Sequence, residues 1–208
     1  MNKTKLLIYL MILFLNPLSN SQISIAQESD KVLFEGKFAP EFQIKDIEGN
    51  SHSIAQYKGK KILLSFNRNA GCPICHYRFH ELEDSSKYFK KQNIILLSIY
   101  ESSTDNVQIL KDTNQWYQKL VADPEGILYT QYGVEENKGK TNKGVWHGLQ
   151  HKMAMGKKKF TRPITEDGRP YRNTAEFLID ENGNILIAYY SKYLGDRLPI
   201  SLIRKKLQ

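Results

Sequence analysis

Along this chain, short apolar runs alternate with amphipathic stretches. Lys61–Phe66 (KILLSF) and Asn93–Tyr100 (NIILLSIY) are nearly continuous in apolar residues, the pattern of strands buried on both faces of a mixed or parallel sheet. Between them, after a loop at 67–71, Cys75, Phe79, Leu82, Ser86 and Phe89 recur at spacings of four, three, four and three. That spacing predicts one helix from Cys72 to about Lys91 with a single buried stripe. Ser102 to Thr104 offer N-caps for a second helix running to about Leu120. Val121–Gly126 reads as a short strand and turn, and Ile127–Tyr132 as a small helix stopped by Gly133. Farther on, Thr174–Ile179 and Ile185–Ser191 are β-rich runs joined by Asp180–Asn184, a hairpin signal, and a closing helix runs from about Pro199 to Lys206. The order β, α, β, α, β, insert, β, β, α predicts one α/β sandwich whose crossovers are right-handed.

The start of the chain changes this picture. Met1–Lys5 is basic, Leu6–Leu15 is an unbroken apolar run of ten, and a polar stretch ends in small residues at Ala26. This is the pattern of a secretory signal peptide over 1–26, too short to span a bilayer as a helix. The expectation is export to the periplasm or another extracytoplasmic space, with membrane association only if the segment stays uncleaved. The remaining 31–208 fits one domain, with a basic insert at 135–170. At 40% hydrophobic and 25% charged, the 208 residues can bury a continuous core. Two cysteines are too few for a disulfide scaffold or a four-cysteine zinc site.

The net charge is +8, and cleavage after Ala26 removes two lysines and no acid. The excess is local: from Asn137 to Pro163 there are eight Lys or Arg and no Asp or Glu. Few aromatic residues interleave with them, so this reads as a solvated basic loop or a contact face for an acidic partner, not a nucleic-acid interface.

The candidate chemistry lies in Gly71-Cys72-Pro73-Ile74-Cys75-His76. A CxxC where a buried strand feeds a helix puts Cys72 at the helix N-terminus, where unpaired N–H groups favour a thiolate, and Cys75 on the apolar stripe. Cys72 is therefore expected to be the nucleophile and Cys75 the shielded resolving thiol. Pro73 is tolerated in the first turn, where its missing N–H has no partner to lose. His76, one turn on, either adds positive charge or stands solvated on the helix surface.

These features carry a family likeness. Gly36–Phe42 (GKFAPEF), Ile47–Gly49, Tyr57–Lys60, the CxxC, Asp123–Gly126 with Tyr132 and Gly133, and Glu176–Asp180 with Gly183 resemble the alkyl hydroperoxide reductase and thiol-specific antioxidant (AhpC/TSA) family of the thioredoxin superfamily. Phe66-Asn67-Arg68 and Leu194–Pro199 (LGDRLP) resemble its peroxiredoxin-like members in particular. The resemblance implies a thioredoxin-like, peroxiredoxin-type sandwich: a central mixed sheet flanked by helices, the insert preceding the last β-hairpin. It also implies a thiol-dependent oxidoreductase that needs no cofactor or metal. Its substrate is a peroxide or a disulfide, the product a Cys72–Cys75 disulfide, and an external dithiol resets it. The family pattern places Pro and Thr seven and three residues before the reactive cysteine, where this chain has Ser65 and Asn69. An Arg expected six residues before Asp180 is replaced by Thr174, with Arg172 two positions earlier. Asn69 is thus the candidate for the lost hydrogen bond, and Arg68 or Arg172 for the lost cation.

Three other uses of the same residues compete. CxxCH is a haem-attachment motif, with His76 as one iron ligand and His147, His151, Met153 or Met155 as the other. Two thiolates with a His or Met from that stretch also suit Cu(I). An inert disulfide is the third, but so small a loop stabilises little.

Overall fold

Lys61–Phe66 becomes the central strand because every residue from Ile62 to Phe66 is buried and, Ser65 apart, apolar. The computed structural model describes residues 32–111, 115–160 and 163–208. The expected signal peptide at 1–26 lies outside them. No helix among the described residues is long and apolar enough to cross a membrane.

A two-stranded hairpin, β1 (Gln43–Lys45) and β2 (Ser51–Ser53), precedes the main sheet. Then follow β3 (Lys61–Phe66), α1 (Pro73–Asp84), α2 (Ser86–Lys91), β4 (Ile94–Tyr100), α3 (Thr104–Lys111), β5 (Lys119–Ala122) and α4 (Ile127–Gln131). The insert supplies α5 (Lys138–Lys143) and α6 (Leu149–Lys157), and β6 (Ala175–Ile179), β7 (Ile185–Tyr190) and α7 (Ile200–Lys206) close the chain. The main sheet runs β5-β4-β3-β6-β7, with β3, β4 and β5 parallel and β6 and β7 antiparallel to their neighbours. This is the expected mixed sheet flanked by helices. Side chains alternate across it: Ile62, Leu64, Phe66 and Phe177 pack with Tyr129 and Tyr132 in one cluster, and Leu63 and Leu178 with Leu82, Phe89 and Ile203 in another.

Three expectations are corrected. The helix from Cys72 to Lys91 breaks at Ser85, whose ψ of 4° leaves helical geometry, although Cys75, Phe79, Leu82 and Phe89 are all buried as the stripe requires. The helix expected to reach Leu120 is described over Thr104–Lys111 and does not reach that far, because Leu120 and Val121 pair with Ser98 and Ile99 as an edge strand. Gln118 anchors that strand, its amide Nε2 donating to the Phe79 carbonyl (2.7 Å) and Ser98 Oγ donating to its Oε1 (2.6 Å).

The third correction matters most: the insert is not a solvated loop. Asn137 caps α5, its side chain accepting from the Lys140 N–H (3.2 Å), and Gly148 turns the chain at φ 72° into α6. Leu149, Met153 and Gly156, spaced by four and three, form a helical face that packs on α1, while Lys143, Lys157 and Lys158 stay in solvent.

Candidate active site

Strand β3 delivers the chain to Asn67–Gly71 and α1 takes it away. Cys72 is the N-cap residue, with φ −74° and ψ 114°, and Pro73 holds the first helical position. Both cysteines are free thiols, each 1% exposed, in an apolar cluster with Ile74, Phe79, Tyr100, Leu149 and Leu194. Their sulfurs share a hydrogen bond.

The two thiols are not equivalent. Cys75 Sγ accepts the backbone N–H of Arg68 (3.2 Å) and Nη2 of Arg197 (3.4 Å). Burial pushes the Cys75 thiol up, but the hydrogen bond from Cys72, the charge of Arg197 and the Arg68 amide more than offset it and bring it down to about 6. Cys72 is pushed well above the ordinary thiol range by that same hydrogen bond and then by burial.

Arg197 went unnoticed as a site residue in the sequence, where only its string LGDRLP stands out. The guanidinium reaches in from the loop before α7 and is fixed by the Phe66 carbonyl (3.2 Å) and Asn67 Oδ1 (3.0 Å). Next to it, Glu176 is held by Arg78 through two bonds of 2.8 Å and by Ser65 Oγ (3.0 Å), so its charge is already matched. Ser65 stands directly opposite Glu176 in the β3–β6 register, which explains a polar residue at the middle of the sheet.

The other candidates divide. Arg68 is present at the sulfurs through its amide and its charge, and its Nη2 donates to the Pro170 carbonyl (2.5 Å). Asn69 is 2% exposed; its carbonyl accepts the Cys72 N–H (3.3 Å), and its Oδ1 has no partner among the described residues. Arg172 does not serve as the cation of the pair. It binds Glu101 through two hydrogen bonds of 2.9 Å, because a fully buried carboxylate needs a counterion. Thr174 sits at the start of β6, its N–H donating to Ser191 Oγ (3.3 Å). Tyr100, at the end of β4, has a buried hydroxyl without a partner among the described residues and feels the charge of both sulfurs.

His76 is not a surface residue. Its Nε2–H donates to the Lys159 carbonyl (2.9 Å) and its ring stacks on Phe160, centroids 4.2 Å apart. It docks the insert on α1, with Nε2 taken up by the Lys159 carbonyl instead of offered to a metal. His147 stacks on Tyr193. Met153 packs against the cysteine cluster as an apolar filler.

The insert closes over the pair. A Cβ on Gly156 would lie 1.8 Å from the Pro73 carbonyl oxygen, and one on Gly71 2.9 Å from the backbone of Ile164 and Glu166. Only glycine permits either approach.

Comparison with known proteins agrees with this geometry. The AhpC/TSA family model matches residues 36–188. The chain belongs to the AhpC/TSA family. It is a peroxiredoxin-like thiol oxidoreductase of thioredoxin-like fold, with Cys72 and Cys75 its only thiols. This member is 25% identical over 162 residues to "Putative peroxiredoxin Rv2521" of Mycobacterium tuberculosis, covering 76% of this chain and 86% of the relative. In fold it is similar to peroxidoxin BcpB of Mycobacterium tuberculosis, with a TM-score of 0.59 at 15% identity over 84% of this chain and 94% of the other. It is also similar to the pneumococcal exposed lipoprotein thioredoxin Etrx1 of Streptococcus pneumoniae, with a TM-score of 0.51 at 17% identity over 81% and 98%.

Proposed function

We propose that this protein is an exported thiol peroxidase that reduces small peroxides at the Cys72–Cys75 pair. Burial of the pair carries the reading. With both cysteines 1% exposed beneath the insert, a two- or few-atom peroxide can be admitted, whereas an extended protein chain carrying a disulfide needs an open groove. The cationic and polar surround of Cys75 suits an anionic sulfur and the alkoxide that leaves it. The names of the relatives point the same way, and the basic, apolar, small-residue pattern of 1–26 supports export.

The chemistry is a two-electron exchange. One thiolate attacks the terminal peroxide oxygen; the O–O bond breaks, an S–O bond forms, and the leaving alkoxide takes a proton to give the alcohol. The second thiol then attacks that sulfur, forming the Cys72–Cys75 disulfide and releasing water, and an external dithiol reduces the disulfide.

One equivalent of hydrogen peroxide added to the reduced protein lacking 1–26 tests this by intact mass and peptide mapping. The expected result is the loss of two hydrogens and a Cys72–Cys75 peptide. A product with added oxygen and no disulfide, or a disulfide between two molecules, would overturn it.

A further inference from the structure

We propose that the outer face of the insert docks on an anionic phospholipid surface, with Trp146 entering the headgroup region and Lys143, Lys157 and Lys158 meeting lipid phosphates. This depends neither on the peroxidase reading nor on export.

Trp146 carries the proposal. It is 88% exposed and Val145 beside it 54% exposed, in the short 3-10 turn Gly144–His147 between α5 and α6. Trp146 makes no hydrogen bond, ring stack or cation–π contact among the described residues. The turn itself is firmly held. A Cβ on Gly144 would lie 2.5 Å from the Leu194 carbonyl oxygen, His147 stacks on Tyr193 with centroids 3.9 Å apart, and Leu149 is buried. The backbone is thus pinned on both sides of Val145 and Trp146 while their side chains stand in water. A rigidly presented indole, apolar in body with one polar N–H, suits the boundary between lipid headgroups and acyl chains.

The charge around it has one sign. Lys143 stands three residues before Trp146, and Lys157 and Lys158 close α6, about 14 Å of helix rise from Leu149. All three are exposed and have no carboxylate partner among the described residues. The outward positions between them, Gln150, His151, Ala154 and Met155, carry no acid. The bordering carboxylates are engaged elsewhere: Glu135 with Lys140 (2.6 Å), Glu136 with Arg169 (3.3 Å) and Asp196 with the Tyr189 hydroxyl (2.8 Å). Glu166 lies at the far end from the turn, lining one hollow with Lys157.

The kind of cation selects the occupant. From Asn137 to Pro163, seven of the eight cations are lysine. Fixed carboxylates on a protein partner are matched best by the bidentate fork of arginine, and lysine is depleted at protein interfaces. Point charges strung along an exposed helix suit lipid phosphates, which diffuse in the bilayer to meet them. An acidic protein is the alternative that the test decides.

Residues 33–208 form a compact unit by themselves, so the test uses the chain without 1–26, whose apolar run would bind bilayers unaided. Sedimentation with vesicles of equal parts phosphatidylglycerol and phosphatidylcholine reads binding, and vesicles of phosphatidylcholine alone read the need for charge. Tryptophan emission reports the site, and soluble polyglutamate stands for an acidic protein. Binding should require phosphatidylglycerol, weaken with salt and bring a blue shift that Trp146→Ala abolishes. Trp146→Ala should weaken binding at least about tenfold, Trp146→Phe should restore part of it, and Lys143→Ala and Lys158→Ala should each cost about fivefold. These side chains are exposed, so the variants should keep the Tm of the parent. No sedimentation with phosphatidylglycerol vesicles would overturn the proposal, as would sedimentation that ignores the Trp146 and lysine substitutions. Polyglutamate binding at least as tight as vesicle binding, with no blue shift on vesicles, would replace the bilayer by an acidic protein.

Discussion

Replacing Gly156 by alanine should lift the insert off the cysteines. The added Cβ would stand 1.8 Å from the Pro73 carbonyl oxygen and 2.6 Å from its carbonyl carbon, both backbone atoms at the start of α1 that no rotamer change can move away. The two helices must therefore separate, and with them the contacts of Leu149, Met153 and Phe160 in the cysteine cluster. Overpacking of this kind costs about 1 to 3 kcal/mol, which raises the population with the insert lifted by about 5- to 150-fold. A bulky maleimide reads that population, since it reaches the thiols only when the insert opens. The Gly156→Ala protein should be labelled faster by that factor. Ile203→Ala serves as the control: it removes side-chain bulk from the separate cluster under α7 and costs about 2 to 5 kcal/mol without touching the insert, so its labelling should stay near that of the unaltered protein. Labelling of Gly156→Ala at the unaltered rate, or equal acceleration in both variants, would refute the idea that the insert is a locally docked cover.

Buried polar groups carry three further predictions. Removing Arg78 as Arg78→Met strands the fully buried Glu176 and should cost about 3 to 5 kcal/mol in denaturant unfolding, most of it recovered when Glu176→Met is added. Burial raises the Glu176 carboxyl, but Arg78, Arg197 and Ser65 more than offset this and hold it below its ordinary value of 4.5. Its folded-state value is thus depressed, so its contribution is present above about pH 4.5 and lost as pH falls through the folded value, and Glu176→Gln should flatten the acid side of the stability profile. Tyr100→Phe deletes a buried, unpartnered hydroxyl, so Tm should hold or rise while thiol loss to peroxide slows; an unchanged rate would remove Tyr100 from the site.

Most of the sheet was legible because its strands announce themselves: Ile62–Phe66 and Ile94–Tyr100 are apolar on both faces, and Asp180–Asn184 is a turn between β-rich runs. The edge strand β5 was legible only at its end, from Val121; its start at Lys119 and Leu120 was absorbed into the helical reading of what precedes it and is set by pairing with β4. The insert was misread for a different reason. Its cations dominate the composition, while the face that matters is Leu149, Met153 and Gly156, where a glycine stands in for a side chain the contact cannot hold. At the site, the CxxC and its place at a helix start were local and therefore readable. Arg197 was not, because 122 residues separate it from Cys75 and only the fold joins them. Arg172 looked equivalent in sequence, but buried Glu101 claims it.

The central claim is that a covered dithiol reduces small peroxides in preference to protein disulfides. The direct test places the reduced protein with equal concentrations of hydrogen peroxide or a disulfide-bonded folded protein and follows thiol loss by stopped flow. Loss to peroxide orders of magnitude faster than free cysteine, with the protein disulfide left intact, is the predicted result. Peroxide consumption no faster than free cysteine, together with rapid reduction of the protein disulfide, would contradict it.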